Sequence, residues 1–314
     1  MSIAYRHRLQ AGDHVLELGE RPLLMGVVNA SLDSFSDGGR YPDLEARVAL
    51  AKELVAAGAD ILDIGGESAT TGRPPVAVDE EIGRVAPLIE RIVRDLDPGR
   101  GDCGSADGVV VSVDTYKPAV ARAAIAAGAR IVNDVSGLRD PAVAEVCADT
   151  GAALVVMHTA AAPRTRRQDP DLYADIVEEV LAFLRGRVEV ALRAGVTREQ
   201  LILDPGPDFA KTPAQTIELL AGVQRLHELG LPVLMAISRK DFIGALTRRP
   251  PRERLAGTLA ALAHGADAGA HIFRVHDVAA AADFLQVRAA LTGATGLPER
   301  DLALADELRH QCSL

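Results

Sequence analysis

The chain contains no tryptophan, and aromatic residues make up only 3% of its 314 positions. So few flat faces leave little on which single-stranded bases could stack. A formal net charge of −10 argues equally against the phosphate contacts that hold a nucleic-acid backbone. Cysteine is sparse as well. Cys103, Cys147 and Cys312 are odd in number, far apart and without CxxC spacing, which excludes a disulfide framework and fits reduced thiols in a cytoplasmic protein. No apolar run approaches the ~20 residues needed to span a bilayer, and the opening MSIAYRHRLQAGDH lacks the apolar core and small-residue cleavage site of a leader. A soluble protein with no nucleic-acid or membrane partner is expected.

What is present is a repeated alternation. Leu23–Val28 is an apolar run of strand length, buried on both faces by its composition, and it ends on Asn29 before a polar, glycine-paired loop carrying Asp33, Phe35, Ser36 and Asp37. Leu44–Ala57 then has helical spacing and stops at Gly58. Further strands are expected at Asp60–Ile64, Val109–Val113, Arg130–Val132, Ala153–Met157, Leu201–Leu203, Pro232–Ile237 and His271–Phe273, with helices between them, the longest at Leu172–Ala194. Eight strands alternating with helices in about 250 residues are the count and size of a (β/α)8 TIM barrel. Ahead of it, Ile3–Glu20 reads as a hairpin split by Ala11-Gly12-Asp13, so the expected layout is an α/β chain with an N-terminal β-hairpin over 1–22, the barrel over 23–290 and a helical tail over 291–314, the tail centred on Asp301–His310.

Each apolar run finishes on a group that can ionise or hydrogen-bond: Asn29, Glu67, Asp114, Asn133, His158, Asp204, Lys240 and Arg274. One such residue is an ordinary turn or cap, but the carboxyl ends of barrel strands converge on the face where barrel enzymes place their chemistry. Two carboxylates (Asp114, Asp204) and an amide (Asn133) beside apolar Met157 suit a flat heterocycle with N–H edges, because a buried donor must meet an acceptor. Lys240, Arg274 and His276 suit a phosphate. A side-chain metal site is poorly supported, since the first strand has no HxH pair and His158 and His276 lack i,i+4 partners; a magnesium held mainly by ligand phosphates stays open. Two segments break the rhythm. Asp97–Gly108 reads as a surface insertion, and Thr159–Asp171, with Arg164, Arg166 and Arg167, reads as a solvated charge run or as a clamp on an anionic ligand.

The segments MGVVNASLDSFSDGG, ADILDIGGES, VSVDT, IVNDVSG, VVMH, LILDPG, ISRKDFIG and IFRVHDV, with the phenylalanine and lysine of DFAKT, resemble dihydropteroate synthase in the correct order over about residues 22–290. That family joins 6-hydroxymethyl-7,8-dihydropterin diphosphate to 4-aminobenzoate in folate biosynthesis and releases diphosphate. The resemblance implies that Asp114, Asn133, Asp204 and Lys240 hold the pterin edge, with Met157 and Phe209 along its faces and Arg274 stacked nearby. It further implies that Asn29, Ser238, Arg274 and His276 meet the diphosphate, that Asp33 belongs to the first catalytic loop, that Mg2+ binds at Asn29, and that the protein is a homodimer.

The resemblance has gaps. Family NVTPDSFSDGG reads Asn29-Ala30-Ser31-Leu32-Asp33 here, so Leu32 replaces a stiffening proline. Family GGESTRPG becomes Gly65-Gly66-Glu67-Ser68-Ala69-Thr70-Thr71-Gly72, losing the loop arginine at Thr70, with Arg73 nearby. Family DPGIGFGKT becomes Asp204-Pro205-Gly206-Pro207-Asp208-Phe209-Ala210-Lys211-Thr212, so two glycines are gone and Asp208 is either a cap for the next helix or a change in substrate choice. Two alternatives to the synthase therefore stand. One is a divergent paralogue that binds pterins with little or no synthase activity; the other is a methyltetrahydrofolate-dependent methyltransferase, which does not need the phosphate-suited Lys240, Arg274 and His276.

Overall fold

The computed structural model describes residues 5–30, 43–67, 74–96 and 108–293. Strands β1 (His7–Ala11) and β2 (His14–Leu18) form an antiparallel hairpin turning at Gly12-Asp13, with Ala11 opposite His14. Eight parallel strands follow: β3 (Leu23–Asn29), β4 (Ile61–Gly65), β5 (Val110–Asp114), β6 (Ile131–Asp134), β7 (Ala153–Met157), β8 (Leu201–Asp204), β9 (Leu234–Met235) and β10 (Ile272–Val275). They lie in the order β8-β7-β6-β5-β4-β3-β10-β9, and a parallel bridge between Leu203 and Val233 brings the two ends of the sheet together. The expected (β/α)8 barrel is thus present.

Period-two alternation divides the strand residues between two apolar layers. Met25, Ile61, Val110, Ile131, Val155 and Ile202 point inward and meet Leu9, Ala11 and Leu18 of the hairpin, which therefore plugs the amino-terminal end of the barrel. Leu24, Leu62, Val111, Val132 and Leu154 point outward and pack under the helices. Both strand faces are dry, so the strands read as continuous apolar runs and not as alternating ones.

The helices are α1 (Leu44–Ala56), α2 (Val78–Leu96), α3 (Pro118–Ala126), α4 (Ala142–Thr150), α5 (Ile176–Arg193), α6 (Pro213–Ala221), α7 (Asp241–Thr247), α8 (Leu255–Asp267) and α9 (Val278–Thr292). One expectation is corrected: the segment before β8 is helical only from Ile176, where the Asp175 carboxylate accepts from the backbone N–H groups of Val177 and Glu178 and sets the start. At 18 residues it is one shorter than α2. Helix α6 opens with a reciprocal capping box between Thr212 and Gln215. The tail helix expected at Asp301–His310 and nearly all of the insertion at Asp97–Gly108 lie outside the described residues, and Cys147 is buried in α4. Among the described residues no helix is long and apolar enough to cross a membrane.

Candidate active site

A cavity of about 320 Å³ opens at the carboxyl ends of the strands. Asn29 from β3, Asp114 from β5, Asn133 from β6, Met157 from β7 and Asp204 from β8 all line it. Phe209, Ser238, Lys240, Arg274 and His276 complete the ring from the later strands and their loops. These ten of the residues singled out from the sequence are therefore brought together. Asp33, with Leu32, Ala69, Thr70 and Thr71, lies outside the described residues.

The floor is organised by a residue that sequence reasoning passed over. Asp63, in the middle of β4, is fully buried, and its Oδ2 accepts from Arg274 Nε at 2.6 Å and from Asn133 Nδ2 at 3.1 Å. Arg274 Nη2 donates to Asp114 Oδ2 at 3.0 Å. One carboxylate thus orients a guanidinium and an amide at once, and leaves Asn133 Oδ1 buried with no partner among the described residues. A charged residue inside an otherwise apolar strand was the available signal. Burial pushes the Asp114 carboxyl up to about 7, with Arg274 pulling it down and Asp63 and Glu81 pushing it further up. Burial also raises Asp204 and lowers the Lys240 ammonium. Asp204 Oδ1 accepts from Gly206 N at 2.7 Å, which fixes the turn behind it. Gly206 sits at φ +63, and a Cβ there would fall 2.1 Å from the His158 carbonyl oxygen, so no larger residue fits. Lys240 Nζ lies 4.3 Å from the centre of the Phe209 ring. On the other side, the His276 backbone N–H donates to Ser238 Oγ at 3.2 Å, and the two side chains meet at 3.0 Å.

His158, grouped with the polar strand ends, does not join the cavity. It is 2% exposed, packs edge-on to Phe183 and meets Lys211 Nζ through Nδ1 at 2.8 Å. The Lys211 ammonium is completely buried and also donates to the carbonyls of Gly206 (2.8 Å) and Phe209 (3.0 Å), so it fastens the loop that carries Phe209. Burial drives Lys211 down to about 7, and burial together with Lys211 drives His158 down to about 2. The Asp208 carboxylate accepts from Thr216 Oγ1 in α6 and from the backbone N–H of Asp241, the first residue of α7. It caps the second helix downstream of it and not the next, which Thr212 already caps. Asp208 and Ala210, which stand where the family pattern has glycine, keep glycine-like backbones at φ +65 and +52.

The run after β7 is only in part the solvated face considered above. The Arg164 side chain is 9% exposed, lines the cavity and pairs with Glu67 at 3.1 Å, whereas Arg166 and Arg167 are exposed. Glu67 further accepts from Lys117 Nζ (2.8 Å), Tyr116 Oη (2.9 Å) and Val76 N (2.8 Å). Despite burial, these donors hold its carboxyl below the ordinary range. Among the described residues no group of three His, Cys, Asp or Glu side chains is placed to hold a metal.

Asp114, Asn133, Asp204 and Lys240 converging with Met157, Phe209, Ser238, His276 and Asn29 on one cavity at the carboxyl ends of a (β/α)8 barrel are the arrangement of a pterin-binding barrel. The family model for pterin binding enzymes matches residues 25–276. The dihydropteroate synthase of Bacillus subtilis is 43% identical over 264 residues, 84% of this chain and 86% of that protein. A Xanthomonas albilineans dihydropteroate synthase solved with 4-aminobenzoic acid superposes with a TM-score of 0.80 at 44% identity, covering 91% of this chain and 98% of that one. A structure of the same enzyme in complex with 7,8-dihydropteroate gives 0.77 at 43% identity, with the same coverage. The chain belongs to the pterin-binding enzyme family, in its dihydropteroate synthase branch.

Proposed function

We propose that this protein condenses 6-hydroxymethyl-7,8-dihydropterin diphosphate with 4-aminobenzoate to give 7,8-dihydropteroate and diphosphate, a transferase step of folate biosynthesis. The observation that carries this reading is the convergence of Asp114, Asn133, Asp204, Lys240 and Arg274 on one cavity at the barrel mouth. In this reading the pterin edge lies against Asp114, Asn133, Asp204 and Lys240, and the unpartnered Asn133 Oδ1 accepts one of its N–H groups. Met157 and Phe209 cover its faces. The diphosphate lies toward Asn29, Ser238 and His276.

The chemistry asked of these groups is mainly electrostatic. Cleavage of the C–O bond to diphosphate leaves positive charge on the pterin methylene; Asp114 and Asp204, fixed in a water-poor floor, stabilise it while the amine attacks. Arg274, pinned between Asp63 and Asp114, holds its charge without rearranging. A magnesium ion suits the hard amide oxygen of Asn29 together with diphosphate oxygens, and would supply charge neutralisation for the leaving group. The proposal includes a homodimer; the exposed Leu246, Val287 and Leu291 on α7 and α9 give an apolar outer surface for it, and light scattering on the purified chain measures the mass.

The test is diphosphate release from the purified protein with the pterin diphosphate and 4-aminobenzoate. Release coupled to dihydropteroate is expected. Folded protein that binds the pterin diphosphate yet releases nothing above background would overturn the synthase reading in favour of a pterin-binding paralogue.

A further inference from the structure

The turn that carries Lys240 is held from outside the pocket. Between Ser238 and Lys240, which both line the cavity, Arg239 stands in a left-handed backbone at φ +60, a conformation that residues other than glycine avoid. Both of its backbone polar groups are taken by the start of α8: Thr258 Oγ1 accepts from the Arg239 N–H at 3.0 Å, and Arg254 Nη1 donates to the Arg239 carbonyl at 2.9 Å. The Arg239 guanidinium pairs with the Asp277 carboxylate, at 2.7 and 3.1 Å.

Arg254 reaches further along the same turn. Its Nη1 also donates to the Lys240 carbonyl and to Asp241 Oδ1, each at 3.1 Å, and its Nε donates to the Arg249 carbonyl at 2.8 Å. The guanidinium lies against Gly244 of α7, where a Cβ would fall 2.1 Å from Nη2, so this glycine inside a helix is what admits it. The Arg254 side chain is only 11% exposed, and it does not line the cavity. A strained backbone persists only where its surroundings over-determine it. A lysine ammonium stands at the end of a flexible four-carbon stem, so the place it reaches, here over the Phe209 ring, depends on how firmly its backbone is held.

We propose that Arg254 is a positioning residue for Lys240: it holds the Arg239-Lys240-Asp241 turn in its strained form and so sets where the ammonium meets the pterin edge. This rests on the pterin-binding part of the synthase reading and not on turnover. Arg254 touches no reacting atom and acts only through the three successive residues that it grips.

A double-mutant cycle separates positioning from a contribution to stability alone. Calorimetry with 6-hydroxymethyl-7,8-dihydropterin diphosphate, without any amine, compares Arg254→Met, Lys240→Ala and the double variant with the wild type, each shown to be folded by circular dichroism. Arg254→Met should weaken binding about 10-fold when Lys240 is present and not at all once it is removed, as coupled neighbours do. Arg254→Lys keeps the charge but not the planar fork, and should recover part of the loss. Equal losses in both backgrounds, or unchanged affinity in Arg254→Met, overturn the assignment. Should Arg254→Met fail to fold, Arg254→Lys carries the same cycle, with a smaller loss expected and the same results overturning it. NMR of the methylated lysines, which are Lys52, Lys117, Lys211 and Lys240, reads the contact without ligand. Burial holds the Lys240 ammonium below the ordinary lysine range, and in Arg254→Met its titration should move up toward that range; a titration that does not move overturns the assignment as well. A protein that shows this coupling, yet releases no diphosphate when 4-aminobenzoate is added, fails the synthase reading and upholds this one.

Discussion

Arg274 Nε donates to Asp63 Oδ2 at 2.6 Å across 211 positions of sequence, joining the last barrel strand to the second. The pair organises the pocket floor: it turns the guanidinium toward Asp114 and, through the same carboxylate oxygen, accepts from the Asn133 amide nitrogen and fixes the orientation of that amide.

Removing Asp63 strips a buried carboxylate from a fixed cation, a change that costs roughly 3–5 kcal/mol when the remaining charge cannot be rehydrated. Because Arg274 retains Asp114, Asp63→Ala should lie at the lower end of that range. Urea unfolding of Asp63→Ala should show the loss, and pterin affinity should fall with it. A variant with wild-type midpoint and affinity would show that Asp114 alone positions the arginine.

Asp204→Ala and Lys240→Ala should each weaken pterin binding by about 10- to 100-fold, since each leaves a heterocycle donor or acceptor unpaired. Calorimetry with the pterin diphosphate measures both. Unchanged affinity in the two variants would refute the proposed orientation of the ring.

The buried His158 sets a pH dependence whose sign is fixed. Its imidazole is ordinary in the unfolded chain, near 6.5, and falls to about 2 when folded. Between those values the unfolded state binds the extra proton, so stability drops as pH falls, by about 1.4 kcal/mol per pH unit for each proton taken up. Urea midpoints at pH 7.5 and pH 5 should diverge more in the wild type than in His158→Asn. Parallel slopes would mean that the imidazole is not what resists protonation.

Ala210 is held at φ +52, where a Cβ costs about 1 kcal/mol. Ala210→Gly should therefore raise stability, with an upward thermal midpoint shift of about 2 °C. The methyl group is buried, so a decrease would show that its packing outweighs the backbone strain.

Residue pattern alone determined the barrel, because strands dry on both faces must be continuous apolar runs and the helices between them must carry their own caps. It also picked out residues from Asn29 to His276 that line one cavity, since the fold gathers every strand's carboxyl end at one mouth whatever the side chains are. Only the tertiary structure decided what those side chains are attached to. Asp63 orients Arg274, Lys211 fastens the Phe209 loop against His158, and Arg164 leaves its charged neighbours to cross the mouth toward Glu67. Each of these contacts joins residues on different strands or loops, and local periodicity carries no information about which distant partner a buried charge will find. The need to neutralise that charge in a dry interior then fixes the partner, and with it the working geometry of the site.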